Sequence, residues 1–561
     1  MLIDLALASF AALLACVAPG WFWAVSLRAM GPDLVERLTF STALSLALVP
    51  PVALVIMWIS GTGVTALVAV LAPLIVLIGG LAVRLYFGPA KTPEDQPKIP
   101  PIPSIGLSAL LALVPALGLL LWMTVVAPDT QWPELFGIPI STLIVAALLV
   151  LAGALSWRDS RPTVPPSHSD RAESMVGRFL FQAALVVVLS AILARGYLGP
   201  VLYDWPYLRG GDQYNHGVQA NEMLAVGHFD GFLVYPPGFS TITAIISRLS
   251  GLEPLEIFPV LAPALILLPA VACYSLAKDL WGRWAGLAAV TFSGLLLNGV
   301  YENIADARYP NLVSAQFLLI LVVAALIRLY RSPEPRPALV LALLGSSVVL
   351  YHSVGTFYTV LLLAPVATLF VPLCLILEHR RRGIALFLSM TLLGFLSVVY
   401  AWDTYDLGKL LGGLLTGTET GAGGEAVSIV VGTQPAFPLA GLLERVSPAV
   451  FPFALLGLLL LFVPGTTTRN LPAWLSRITL LLWCGILFAG SRTALSAFPQ
   501  RFERDLGVPL SVLAALALVA VLSSLSVHTS ERRLPARAGV TVITAAAAVL
   551  ALSLIGTQAW A

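Results

Sequence analysis

The chain has 561 residues, of which 58% are hydrophobic and only 11% charged, less than half the roughly 25% charge of a soluble domain. Its formal net charge is +2 and no basic tract interrupts it, so the electrostatic footprint of a nucleic-acid-binding protein is missing. Apolar runs of bilayer-crossing length, roughly 17 to 25 residues, recur from end to end. The predicted fold class is therefore an all-α polytopic membrane protein, with membrane lipids as its first partners. Cys16, Cys273, Cys374 and Cys484 each lie inside an apolar run. They read as small hydrophobes, with neither a disulfide framework nor zinc-ligand spacing.

In chain order, spans are expected at Leu2–Val17, Leu38–Ile59, Val64–Val83, Ile105–Val126 and Ile138–Ser156. The N-terminus lacks the basic region of a signal peptide, so the first segment reads as a permanent span, broken at Pro19-Gly20. Two proline-rich connectors, Gly88–Ser104 and Trp157–Ser174, read as loops. The second marks a module boundary. Residues 1–157 then form a five-span N-terminal bundle of scaffold character, with almost no polar residue at membrane depth.

A second module, residues 178–402, opens with a span at Phe179–Leu193. A long polar excursion, Gly196 to Val234, follows. Tyr235–Leu252 is short, apolar on one face and carries Arg248 on the other, as expected of a helix lying at the membrane interface. Further spans are expected at Ile257–Leu276, Trp284–Val300, Leu312–Leu329, Ala338–Ser353, Thr356–Leu377 and Ile384–Ala401. Residues 403–447 read as an external loop rich in Gly and Thr. Residues 448–561 supply the last spans, Val450–Phe462, Leu475–Phe488, Leu506–Leu522 and Val540–Ile555. The total is about sixteen.

Lys/Arg bias sets the orientation. Arg158, Arg161, Arg171 and Arg178 place one loop inside, and His379-Arg-Arg-Arg382, Arg328 with Arg331 and Arg336, Arg532 with Arg533 and Arg537, and Lys278 with Arg283 mark others. The count closes only if Tyr235–Leu252 does not cross. Four polar segments then share the outer face: Gly196–Val234, Tyr301–Asn311, Trp402–Ser447 and Ser491–Asp505.

Ionisable residues beside membrane spans are costly unless paired or functional, and the outer face concentrates them. The first loop holds Asp212 and His216 in Gly210-Gly-Asp-Gln-Tyr-Asn-His216. The second holds Glu302, Asp306 and Arg308. Arg492 and Arg501-Phe-Glu-Arg-Asp505 precede the penultimate span, and His352 ends a span on the same side. Acids facing several arginines suit a sugar and a phosphate: a carboxylate can deprotonate a hydroxyl, and a guanidinium fork can hold phosphate oxygens. Plainer readings stand beside this one. Asp212 would serve as an N-cap, His216 would share its helix face, and Arg501, Glu503 and Arg504 would form an ordinary interfacial ion cluster.

The order of these pieces resembles the GT-C glycosyltransferases, membrane enzymes that use lipid-linked sugar donors, and in particular their poorly characterised actinobacterial members. In that family a span leads to an external loop with an essential acid. A Tyr-Pro-Pro segment, interfacial helices, a returning span and a short basic inner loop follow. The matching residues are Asp212, Tyr235-Pro-Pro237, the helix ending at Arg248-Leu-Ser-Gly251, the span Ile257–Leu276 and Lys278-Asp-Leu-Trp-Gly-Arg283. A second external loop with an acid near an Arg matches Glu302, Asp306 and Arg308. The resemblance is closest over Phe179–Trp402. The five leading spans and the absence of a large soluble C-terminal domain depart from it.

The resemblance implies transfer of a sugar from a polyprenyl-phosphate donor to a glycan, lipid or protein acceptor at the external face of the inner (plasma) membrane. Asp212 is then the general base, and His216 orients it or contacts the acceptor. Arg501 and Arg504, with Arg308, hold the leaving phosphate; Glu302 or Asp306 positions the sugar; Tyr235 and His352 line the site. No metal-ligand set is assigned, and a divalent cation (Mg or Mn) held by Asp212 with Glu302 or Asp306 stays open. Two other classes also stay open: a transporter or flippase of a lipid-linked glycan, though no internal repeat is visible, and a polysaccharide polymerase or ligase of another membrane fold.

Overall fold

The computed structural model describes residues 2–27, 33–87, 134–135, 138–139, 144, 147–148, 150–151, 175–203, 211–228, 236–377, 379–404, 446–447, 450–462, 470–493 and 499–531. Among them, ten helices are long and apolar enough to cross a membrane, or eleven if one bent pair counts as a span, and two shorter apolar helices accompany them. The described residues are overwhelmingly helical, and the chain is a multi-pass membrane protein. Each expected span that falls on described residues has a helix. Those at Ile105–Val126 and Val540–Ile555 lie outside the described residues, as do most of Ile138–Ser156, both proline-rich connectors, Tyr235 and nearly all of Trp402–Ser447.

Helices α1 (Leu2–Cys16) and α2 (Ala18–Ser26) act as one crossing unit, Ile3–Ser26. The break expected at Pro19-Gly20 is therefore a correction. Pro19 lies in the first turn of α2, where its missing N–H costs nothing. Gly20 lets α2 press onto the next helix: a Cβ there would collide with the Ser41 carbonyl, and its N–H donates to Ser45 Oγ at 2.7 Å. That next helix, α3 (Leu34–Ser60), is capped by Asp33, whose side chain accepts from the Val35 amide at 2.8 Å. It ends at Gly61 in the left-handed region, φ 64°. After α4 (Ala66–Phe87), a short antiparallel strand pair joins Glu134–Leu135 to Ile138–Pro139. The span expected to begin at Ile138 thus starts in extended backbone.

The second module starts with α5 (Met175–Tyr203), followed by α6 (Asp212–Ala225) and α7 (Gly238–Ser250). At 13 residues α7 is too short to cross, and it is more enclosed than an interfacial helix need be. Its residues are buried on nearly every face, packed against α1, α3, α4 and α6. Gly238, after Pro236-Pro237, permits the approach: a Cβ would lie 2.5 Å from the Leu350 carbonyl oxygen. The chain returns through α8 (Pro254–Leu261) and α9 (Leu267–Trp281), joined by a 3-10 turn into one span.

Next, α10 (Arg283–Thr291) runs through a π-helical turn, Phe292–Leu296, and bends by 50° into α11 (Asn298–Ala305). Helices α12 (Tyr309–Val313) and α13 (Leu319–Arg331) flank a second π turn and form the most enclosed span. They are followed by α14 (Pro335–Ser347), α15 (Ser353–Pro365), α16 (Val371–Ile376) and α17 (Arg380–Thr404). The last described helices are α18 (Val450–Phe462), α19 (Leu471–Arg492) and α20 (Pro499–Glu531). One hydrophobic core runs from α1 to α20 and takes in α2, α3 and α4.

Two junctions tie those leading spans to the second module. At one membrane face, Lys278 on α9 bridges Asp33 (3.2 Å) and Glu36 (2.7 Å), while Arg328 on α13 pairs with Glu36 and with Asp279 (2.5 Å). Tyr274 donates to Asp33. Glu36 is 1% exposed, so its charge is tolerable only because two cations meet it. At the opposite face, the turn between α3 and α4 is bolted to α6 and α7. The Val64 amide donates to the Met223 carbonyl at 2.8 Å, and Arg248 Nε donates to the Val64 carbonyl at 2.9 Å. The start of α3 and the ends of α9 and α13 thus share one face, as the Lys/Arg count requires, and the junction of α6 and α7 with the α3–α4 turn lies at the other.

Candidate active site

Helix α6 places the first loop's chemistry. Its N-cap is Gly211, so Asp212 is the first helical residue and not the cap. A carboxylate in the first turn sits in the positive end of the helix dipole. Gln213, His216, Gly217, Gln219, Ala220 and Met223 form the buried face, and Tyr214 and Val218 are exposed. Asp212 is half-buried at the edge of that buried face, one turn before His216.

His216 is 0% exposed. Its Nε2 donates to the Ala307 carbonyl at 3.1 Å. The ring packs edge-on to Phe239 of α7 (5.4 Å between centroids) and near Tyr309 of α12 (6.0 Å). Burial pulls its pKa down to about 4, against the pull of Asp212, the Ala307 carbonyl and Gln219. The imidazole is neutral at physiological pH.

Its acceptor lies in an unusual turn. Ala307 has φ 57° and is fully buried, a conformation that side-chain-bearing residues seldom adopt. Its amide donates to Ile304 O (3.1 Å), and the Arg308 amide donates to Asn303 O (2.8 Å). Reversed in this way, the chain presents Asp306 and Arg308 side by side, ion-paired at 3.1 Å. Glu302 lies half-buried one turn before Asp306 on α11.

His352 is the meeting point. It caps α15, its Nδ1 accepting from the Val354 amide at 3.0 Å, and it is 1% exposed. Burial first, then the positive fields of Arg501 and Arg504 and the proximity of His216 and Arg308, hold its pKa well below the ordinary range. Residues from α6, α11–α12, α15 and α20 therefore lie within electrostatic reach of one imidazole. That group contains His216, Arg308, His352, Arg501 and Arg504, with Asp212 brought in through His216.

The start of α20 divides the expected ion cluster. Glu503, 0% exposed, pairs with Arg492 at 3.2 Å. Arg501 is half-buried. Arg504 is 1% exposed; its Nε lies 3.7 Å from Asp505 Oδ1, and none of its three guanidinium nitrogens has a hydrogen-bond partner. Asp505 instead accepts from Gln316 Nε2 at 2.8 Å. Gly299 of α11 makes room for Arg504, since a Cβ there would lie 2.7 Å from Arg504 Cγ. Asn303, one turn further along the same face, is fully buried with its amide nitrogen and oxygen both lacking partners. Asn303 thus leaves a donor and an acceptor unpaired on the helix that packs against Arg504.

Sequence reasoning missed the Ala307 carbonyl, Asn303 and Gln316, and noted Arg492 without giving it a role. Only Gln316 left a visible trace, as an amide within an apolar span. Tyr235 lies outside the described residues. No group of three or more His, Cys, Asp or Glu side chains gathers at metal-ligand spacing among the described residues, and Asp306 is engaged by Arg308.

No protein-family model and no curated protein matches the sequence. The fold is similar to solved oligosaccharyltransferases of Archaeoglobus fulgidus. One is the archaeal oligosaccharyltransferase AglB in complex with an inhibitory peptide and a dolichol-phosphate, at 15% identity and a TM-score of 0.46, over 69% of this chain and 56% of that one. Another is the apo form, at 15% identity and a TM-score of 0.45, over 69% and 57%. The chain matches a little over half the length of these proteins.

Proposed function

We propose that this chain is a GT-C type glycosyltransferase that moves a sugar from a polyprenyl-phosphate donor to a glycan, lipid or protein hydroxyl at the external face of the plasma membrane. The observation that carries the reading is Arg504. A buried guanidinium with no hydrogen-bond partner costs several kcal/mol, and an anion that fills the site offsets that cost. A phosphate is the anion that a guanidinium fork matches best. Arg501, one turn before it on α20, and Arg308, from the turn between α11 and α12, add charge, as a doubly charged leaving group requires.

In this reading the donor phosphate lies against Arg504 and Arg501, with its polyprenyl tail between spans. The Asp212 carboxylate accepts the proton of the acceptor hydroxyl. The acceptor oxygen then attacks the sugar's anomeric carbon, and the bond from that carbon to the phosphate oxygen breaks. Its electron pair leaves with the polyprenyl phosphate, whose added charge the arginines stabilise. Attack opposite the leaving group inverts the anomeric centre. His216 and His352, both neutral, hold elements in place, His216 by donating to the Ala307 carbonyl and His352 by accepting from the Val354 amide; Asn303 offers a donor and an acceptor to sugar hydroxyls. No step is assigned to a metal.

The test is transfer of radiolabelled sugar from a polyprenyl-phosphate donor by purified protein, comparing wild type with Asp212→Asn and Arg504→Gln. Both variants should lose transfer. Full activity in Asp212→Asn would remove Asp212 from the base role. Movement of donor across liposomes with no bond formed would replace the transferase with a flippase.

A further inference from the structure

Arg504 and Asp505 are neighbours on α20, both buried and oppositely charged, yet they form no hydrogen bond. Arg504 Nε lies 3.7 Å from Asp505 Oδ1, beyond the roughly 2.7–3.2 Å of an N–H···O bond. All three guanidinium nitrogens and Asp505 Oδ2 lack partners. Two buried ions left this way forgo the interaction that would best offset their desolvation. Glu503, the other acid of this segment, pairs with Arg492 at 3.2 Å.

The gap has a cause on each side. Successive residues of an α-helix point about 100° apart, so the two side chains meet different neighbours. The Arg504 stem packs against Gly299 of α11. Asp505 meets the π turn Ser314–Leu318, where Gln316 Nε2 donates to its Oδ1 at 2.8 Å. Gln316 is 0% exposed and is the only polar side chain between Ser314 and Arg328. Its turn is seated on α15, since a Cβ on Gly355 would lie 2.6 Å from Ser314 Oγ. π turns inside helices frequently mark functional positions. Tyr358 of α15 is also within the field of Asp505, but its hydroxyl has no hydrogen-bond partner and its ring packs edge-on to Phe502 at 4.7 Å.

We infer that Gln316 is a positioning residue for donor binding: by holding the Asp505 carboxylate, it keeps the Arg504 guanidinium open for a phosphate. The inference rests on the proposed phosphate site at Arg504. A shift of under about 1 Å would turn the 3.7 Å gap into a bond. The carboxylate would then occupy N–H groups that phosphate oxygens need. Held where it is, Asp505 offsets part of the Arg504 charge in the empty site without taking its donors.

The probe is undecaprenyl phosphate, which carries the leaving phosphate without a sugar, and the measurement is the concentration that half-saturates its thermal stabilisation of the purified full chain. Gln316→Met, close in length and without the N–H, should raise that concentration about tenfold, the scale of one charge-assisted hydrogen bond. Adding Asp505→Asn to Gln316→Met removes the competing charge and should restore binding to within about twofold of wild type. A merely structural role would leave the double variant as weak as the single one. Equal weakness in the two variants, or wild-type binding in Gln316→Met, would overturn the inference. A second arm needs no ligand. In lipid-free protein, the coupling between Arg504→Met and Asp505→Asn, read from unfolding midpoints, should be larger in a Gln316→Met background than with Gln316 in place; equal coupling would show that Gln316 does not restrain Asp505. Wild-type binding of undecaprenyl phosphate by Arg504→Met would overturn the phosphate site, and with it the use of the restraint, even where the coupling grows.

Discussion

His216 and Ala307, separated by 91 residues, are joined by a 3.1 Å hydrogen bond from imidazole Nε2 to a carbonyl held in the left-handed region. The bond links the loop that carries Asp212 to the loop that carries Asp306 and Arg308. A fully buried ring wedged against Phe239 and Tyr309 has little room to approach an acceptor. His216 is better described as a positioning residue than as a group that touches substrate.

His216→Phe tests this. Phenylalanine keeps the volume and removes the donor, leaving a buried carbonyl unsatisfied at a cost of about 1–3 kcal/mol. Transfer should fall through kcat with KM little changed, and His216→Gln, which can still donate, should recover part of the loss. Equal activity in His216→Phe and wild type would show that the bond does not position the loop.

The same residue sets a pH dependence. The imidazole has a pKa near 4 in the fold, against 6.5 in the unfolded chain. As pH falls below 6.5 the unfolded state takes up the proton first, so stability is complete above 6.5 and declines toward pH 4. A depression of this size corresponds to about 3 kcal/mol. His352, also held low by burial and by Arg501 and Arg504, acts in the same direction. Thermal unfolding between pH 7 and 4.5 should show a falling midpoint, with a shallower slope in His216→Phe. Parallel slopes would place the acid sensitivity elsewhere.

The spans were legible because bilayer thickness imposes a minimum apolar length, and Lys/Arg bias fixed which ends share a face. Neither signal reports which helices touch. The Glu36 junction was missed because one acid at the start of an apolar run looks like any span end; its two cations come from 242 and 292 residues away. Pro19-Gly20 misled because the same pair that breaks a helix also permits close packing. The site residues were legible as types gathered on one face. Their roles were not, because the burial of His216 and Arg504 depends on α7, α12 and α20 closing over them.

Asp212→Asn removes the proton acceptor and keeps the shape. If the carboxylate is the base, kcat should fall about 10²–10⁴-fold. Donor affinity, measured by donor-dependent thermal stabilisation, should stay within about twofold. A variant that loses donor binding and catalysis together would make Asp212 a binding group instead.

Arg504 separates a ligand site from a structural ion pair. A charge that stabilises the fold is missed when it is removed; one that waits for a ligand is not. Arg504→Met, close in length and apolar, should leave the donor-free midpoint unchanged or raise it. Stabilisation by the polyprenyl-phosphate donor should disappear. A midpoint several degrees lower in the donor-free variant would assign Arg504 to Asp505, 3.7 Å away.

Gly63 and Glu36 probe whether the leading spans act on the site or only on stability. At Gly63 a Cβ would collide with the Leu224 carbonyl near the end of α6, so Gly63→Val must push the turn off the helix that carries Asp212. Glu36→Ala acts at the far face, leaving Lys278 and Arg328 without their shared carboxylate, and should cost about 3–5 kcal/mol. The two lesions load the same spans from opposite ends. If the spans position α6, Gly63→Val should lower kcat more than its loss of stability explains, while Glu36→Ala should lower the unfolding midpoint and leave the transfer rate of the folded fraction near wild type. Equal losses of rate per degree of midpoint in both variants would reduce the leading spans to a source of stability.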